Sequence, residues 1–129
     1  MLKKIVIAED DDAIAHMVSM ALGDAGYLCI RARDGAEALQ ITKMHQPDLL
    51  VLDVMMPNMS GTQVLKELQD NRHTADIPVL VMTAINGMAG GRILNGPNEI
   101  VEKPFDVHDL LNKIALAMFR SKDARDHDF

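Results

Sequence analysis

A chain of 129 residues, 48% hydrophobic and 25% charged, has room for one compact domain with its own core and little for a second. Its formal net charge of −6 argues against nonspecific nucleic-acid binding, and a lone cysteine, Cys29, excludes an internal disulfide framework. No stretch approaches the roughly 20 apolar residues of a membrane span, and the apolar run after Lys4 is too short for a signal peptide, so a cytoplasmic, reducing setting without membrane insertion is expected.

Lys4 to Ala8 is a short aliphatic run of the kind found in buried parallel strands. Ile14, Met17, Val18, Ala21, Leu22 and Ala25 follow at helical spacing, and Gly26 stands where a helix stops. Leu28 to Ala32 reads as a second strand, and Asp34 can cap a helix carrying Ala38, Leu39 and Ile41. Pro47 breaks the chain before a third strand, Leu49 to Leu52. Ser60-Gly61 opens a helix with Val64, Leu65 and Leu68 on one face, and Pro78 leads a fourth strand, Val79 to Met82. The stretch 84–98 holds several glycines and a proline, a poor helix composition, so a short or irregular fourth helix is expected there. Glu99 to Glu102 makes a fifth strand, and Val107 to Met118 a final amphipathic helix. The domain is expected to span residues 1–120, with 121–129 a polar tail. With three Phe, one Tyr and no Trp the core must be aliphatic, and the ten Met residues are expected to help fill it.

Strands alternating with helices imply an α/β fold with a doubly wound parallel sheet. In the flavodoxin-like (βα)5 order, 2-1-3-4-5, the ligand crevice lies beyond the carboxyl ends of strands one and three. Glu9 and Asp10 follow strand one, Asp53 follows strand three, Thr83 follows strand four and Lys103 follows strand five. Crowded carboxylates raise each other's pKa unless a cation sits among them, and hard oxygen ligands suit Mg²⁺. For Asp11 and Asp12 a helix-capping role is the favoured reading; for Glu9 and Asp10 the matching Asp53 favours metal. A carboxylate nucleophile taking a phosphoryl group needs charge neutralisation, which Mg²⁺ and the Lys103 ammonium supply, and a hydrogen bond, which the Thr83 hydroxyl supplies. His16, His45, His73, His108 and His127 show no metal-ligand spacing, and no Walker loop or dinucleotide fingerprint occurs.

Glu9-Asp10, Asp53 with Met56-Pro57 and Gly61, Thr83-Ala84 and Lys103-Pro104-Phe105 together resemble the signature of response-regulator receiver domains, over about residues 3 to 119. The resemblance implies a phosphoacceptor at Asp53, and Mg²⁺ held by Glu9, Asp10, Asp53 and the backbone carbonyl of Met55. It also implies phosphoryl contacts from Thr83 and Lys103, and a cis peptide at Lys103-Pro104. A sensor histidine kinase or phosphotransfer protein would be the donor, and a downstream protein target, not nucleic acid, would receive the signal.

The chain departs from that pattern at Ile100, where an aromatic switch residue is common, and in its glycine-rich 84–98 stretch. Phosphorylation is therefore expected to reshape residues 86–97 instead of turning an aromatic ring. Met55 and Ile85, two positions after Asp53 and Thr83, cannot orient an attacking water well, so slow hydrolysis is expected. Two other readings remain. A receiver-like scaffold would bind partners without phosphorylation. An Mg²⁺-dependent phosphohydrolase of the haloacid-dehalogenase kind would need an aspartate where Met55 stands.

Overall fold

The structure is a computed structural model that describes residues 2–83 and 99–126, with side chains except at 99 and 120–126. The irregular fourth helix and the reshaping expected within 84–98 lie outside the described residues. Five strands, β1 (Lys4–Ala8), β2 (Leu28–Ala32), β3 (Leu49–Asp53), β4 (Val79–Thr83) and β5 (Glu99–Glu102), form a parallel sheet in the order β2-β1-β3-β4-β5. The strand boundaries and order match the expectation, with Asp53 and Thr83 taken in as the last residues of their strands.

The three central strands are aliphatic because both faces of the sheet are covered. Side chains alternate between those faces. Ile5, Ile7, Leu49, Val51, Leu80 and Met82 pack with Val18 and Leu22 of α1 (Asp12–Asp24) and with Leu110 and Ile114 of α4 (Val107–Asp126). Val6, Ala8, Leu50, Leu52, Val79 and Val81 pack with Ala38 of α2 (Gly35–His45) and with Val64, Leu65 and Leu68 of α3 (Gly61–Gln69). Each fully buried Leu or Ile contributes roughly 1.5–3 kcal/mol, so these two layers carry most of the stabilisation.

The helix starts are capped as the sequence suggests. Asp11 accepts from the amides of Ala13 and Ile14, Asp34 from that of Glu37, and Ser60 forms a reciprocal capping box with Gln63. Gly26, at φ 94°, closes the end of α1. Two expectations change. α4 runs on through Ser121 to Asp126, because nothing in that polar stretch stops a helix. Methionine fills the core only in part: Met82 is fully buried and Met56, Met59 and Met118 pack half-buried against the core, whereas Met17, Met20, Met44 and Met55 are exposed. In α1 the stripe that reaches the sheet runs through Ala15, Val18 and Leu22, which leaves Met17 on the outer side.

Candidate functional site at the carboxyl rim of the sheet

Counting on from the alternation inside the strands, Glu9, Asp53 and Lys103 fall in the row that faces α1 and α4. They converge. The Lys103 ammonium donates to Glu9 Oε1 at 2.7 Å and to Asp53 Oδ2 at 3.0 Å. Glu9 is wholly buried and Asp53 only 4% exposed, so both carboxylates sit in the wall of the domain. Their remaining oxygens accept from the main chain: Glu9 Oε2 from the Asp11 amide at 3.1 Å, and Asp53 Oδ1 from the Met55 amide at 3.0 Å. Burial alone would push the Lys103 pKa down. The hydrogen bonds and charges of Glu9 and Asp53 outweigh it and hold the pKa above the ordinary 10.5, so this lysine is a fixed positive charge.

Asp10 is exposed, yet its carboxylate belongs to the same group. Glu9, Asp10 and Asp53 each offer an oxygen, and these atoms lie within 4.8 Å of one another. Three carboxylates around one ammonium leave an excess of negative charge, and an all-oxygen donor set on a partly open rim is the chemistry of a hydrated Mg²⁺ site. The residues present fit that ion. Met55 offers the rim only its main chain, since its side chain is out in solvent. Thr83, almost buried, belongs to the opposite row with Val79 and Val81, and its carbonyl accepts from the Lys103 amide at 2.7 Å. That bond ties the strand end carrying Thr83 to the residue carrying the ammonium. The Lys103-Pro104 peptide is cis, as expected.

The loop after Asp53 is held from two sides. Gly61 sits so close that a Cβ would lie 2.6 Å from the Asp53 carbonyl oxygen, and a Cβ on Gly35 would fall 1.7 Å from the Met59 carbonyl oxygen. Asn58, at φ 69°, donates from its side chain to Asp34 Oδ2 at 2.9 Å. The cap of α2 and the loop that leads from Asp53 to α3 are thus one assembly. Asp11 caps α1 and Asp12 adds charge to its first turn, as favoured from the sequence, and Asp12 also pairs with Arg31.

One contributor escaped sequence reasoning. Arg31 of β2 donates to the main-chain carbonyl of Glu9 from Nε at 3.2 Å and from a terminal nitrogen at 2.9 Å. The signal was there: a guanidinium inside an otherwise apolar strand, LCIRA, beside the strand that leads into Glu9. A shallow cavity of about 200 Å³ between Gln46–Asp48 and Arg72–Pro78 lies at the opposite, amino-terminal rim and shares no residue with the acidic group.

Residues 5–115 match the family described as the response regulator receiver domain. The DNA-binding dual master transcriptional regulator RpaA of Synechocystis sp. is 37% identical over 93% of this chain and 51% of its own length. Response regulator MprA of Mycobacterium ulcerans is 34% identical over 95% of this chain and 53% of its own length. The chain thus spans about half the length of the curated relatives it matches. A crystal structure of a CheY-like response regulator receiver domain protein from Methanospirillum hungatei superposes with a TM-score of 0.85 at 25% identity, covering 96% of this chain and 99% of that one.

Proposed function

The chain belongs to the response regulator receiver domain family, and on that premise we propose that it is a phosphoacceptor switch whose nucleophile is Asp53. The observation that carries this reading is the meeting of Lys103 with both Glu9 and Asp53 at a rim that also holds Asp10. An Asp53 carboxylate oxygen attacks phosphorus and forms the new O–P bond, while the donor's N–P bond breaks and its electron pair leaves with the histidine ring nitrogen. Glu9, Asp10 and Asp53, with the Met55 carbonyl, are the proposed ligands of Mg²⁺, which supplies Lewis-acid neutralisation of the phosphoryl oxygens. Lys103 neutralises a further phosphoryl oxygen, and the Thr83 hydroxyl donates a hydrogen bond to another.

The donor is a sensor histidine kinase or a phosphotransfer protein, and the output is a changed contact with a downstream protein in the cytoplasm. With its net charge of −6, this domain does not itself engage nucleic acid. Its own catalysis is confined to taking up the phosphoryl group and losing it slowly, since the Met55 side chain points to solvent and offers no hydrogen bond to an attacking water. No described helix is long and apolar enough to cross a membrane.

Incubation with acetyl phosphate and Mg²⁺, read by intact mass, tests the proposal. Wild type gains one phosphate and Asp53→Ala gains none. Equal labelling of both proteins, or of neither, overturns the assignment.

A further inference from the structure

The acidic run Glu9 to Asp12 has to serve two purposes within four residues: it must present Glu9 and Asp10 at the rim and start a helix two residues later. Repulsion among its carboxylates and the turn from strand to helix both work against a fixed geometry. The β1–β2 ladder ends here, with the Glu9 amide on the Ala32 carbonyl at 3.1 Å, and the two chains then part toward α1 and toward the Asp34 cap. At that fork stands Arg31, its side chain only 22% exposed.

The guanidinium fills the fork on both sides. It gives two N–H groups to the Glu9 carbonyl and a third to Asp12 Oδ1 at 2.7 Å, and that hydrogen bond, with the guanidinium charge, holds the Asp12 carboxyl below the usual carboxylate range. Asp11, between those anchors, is committed to the amides of Ala13 and Ile14. Asp10 is left as the acidic residue whose neighbours on both sides are tied down. The geometry points to Arg31 as a positioning residue that clamps the β1–α1 turn, so that the carboxylates of Glu9 and Asp10 are set in place for a divalent cation. A planar fork suits this task, since one lysine nitrogen could not reach the carbonyl and Asp12 with the same three bonds.

The inference rests on the metal reading above, and it carries a sign that separates it from plain electrostatics. A cation beside the acidic group repels Mg²⁺, so if charge were the whole effect its removal would tighten binding. A clamp predicts the reverse, because loss of an outer partner that orients ligands weakens metal affinity, commonly by tenfold or more.

Calorimetric titration of Mg²⁺ into wild type, Arg31→Met and Arg31→Lys decides the matter. Expected is a loss of roughly tenfold in affinity for Arg31→Met and a comparable loss for Arg31→Lys, which keeps the charge. Unchanged or tighter binding in either folded variant overturns the clamp. Absence of Mg²⁺ binding to wild type would instead sink the metal reading itself. Amide hydrogen exchange in metal-free protein gives an independent readout: the Asp11 and Ala13 amides should exchange faster in Arg31→Met while the core of β3 stays protected, and unchanged exchange at those two amides counts against the clamp.

Discussion

Lys103 and Glu9, 94 residues apart in the chain and just past the ends of strands separated by β3 and β4, meet at 2.7 Å. The contact spans the carboxyl rim of the sheet and passes Asp53 on the way. Removing the ammonium leaves two buried carboxylates facing each other without compensation. Lys103→Met should therefore lose roughly 2 kcal/mol in metal-free buffer, less than a fully buried pair would lose because the lysine is partly exposed. Mg²⁺ should restore more stability to the variant than it adds to wild type. Urea denaturation with chelator and with Mg²⁺ measures both effects.

The loop after Asp53 leaves no room for a methyl group at either of its glycine contacts. Gly35→Ala must push the Met59 carbonyl aside, and Gly61→Ala must push the Asp53 carbonyl and the Val54 Cα. Each should cost about 1–3 kcal/mol. Gly61→Ala, whose clash involves the main chain of the proposed nucleophile, should also slow labelling by acetyl phosphate. Thermal melts and intact-mass time courses would show this, and wild-type behaviour of both proteins would contradict the close approach.

Thr42 is fully buried in α2, and its hydroxyl finds no hydrogen-bond partner among the described residues. Thr42→Val replaces that orphan group with a methyl of the same shape and β-branching, so the desolvation penalty disappears while packing is kept. A gain of about 1 kcal/mol in urea denaturation is expected. A loss of stability would mean that the hydroxyl has a partner.

Asp34 supplies the acid-side pH dependence. Its hydrogen bonds from the Glu37 amide and, next, from the Asn58 side chain hold its pKa below the ordinary 3.8. A depressed folded value means that the contribution is present above pH 3.8 and is lost as pH falls through the folded value. Wild type should therefore be more stable than Asp34→Ala at neutral pH, and the gap should shrink below pH 3.8. Denaturation curves at several pH values check it, and a gap constant down to strong acid would refute the link.

The strands were legible because the central ones are buried on both faces and read as unbroken aliphatic runs, and because Asp53, Thr83 and Lys103 each mark a strand end. The helix starts were legible from Asp11, Asp34 and Ser60, whose side chains do the capping. Composition was a partial guide for methionine, since a count of apolar side chains does not say which side of a helix they occupy: Met56, Met59, Met82 and Met118 reach the core, while Met17 and Met20 lie on the outer side of α1. The end of α4 was missed because a run of polar residues resembles a tail, although without a helix stop the helix continues through it. Arg31 was missed for another reason. It stood out as a charge inside an apolar strand, but besides Asp12 its partner is the main-chain carbonyl of Glu9, which no side-chain pattern announces.

Both carboxylate oxygens of Glu9 are already engaged, one by Lys103 and the other by the Asp11 amide. An arriving divalent ion therefore joins an existing ion pair instead of filling an empty seat. Each of those oxygens keeps a second lone pair that a divalent ion could use, and Lys103 has a second foothold on Asp53 at 3.0 Å. A divalent ion held there would share Glu9 with the ammonium, whose contact with Asp53 keeps its charge beside the carboxylate where an incoming phosphate would need it.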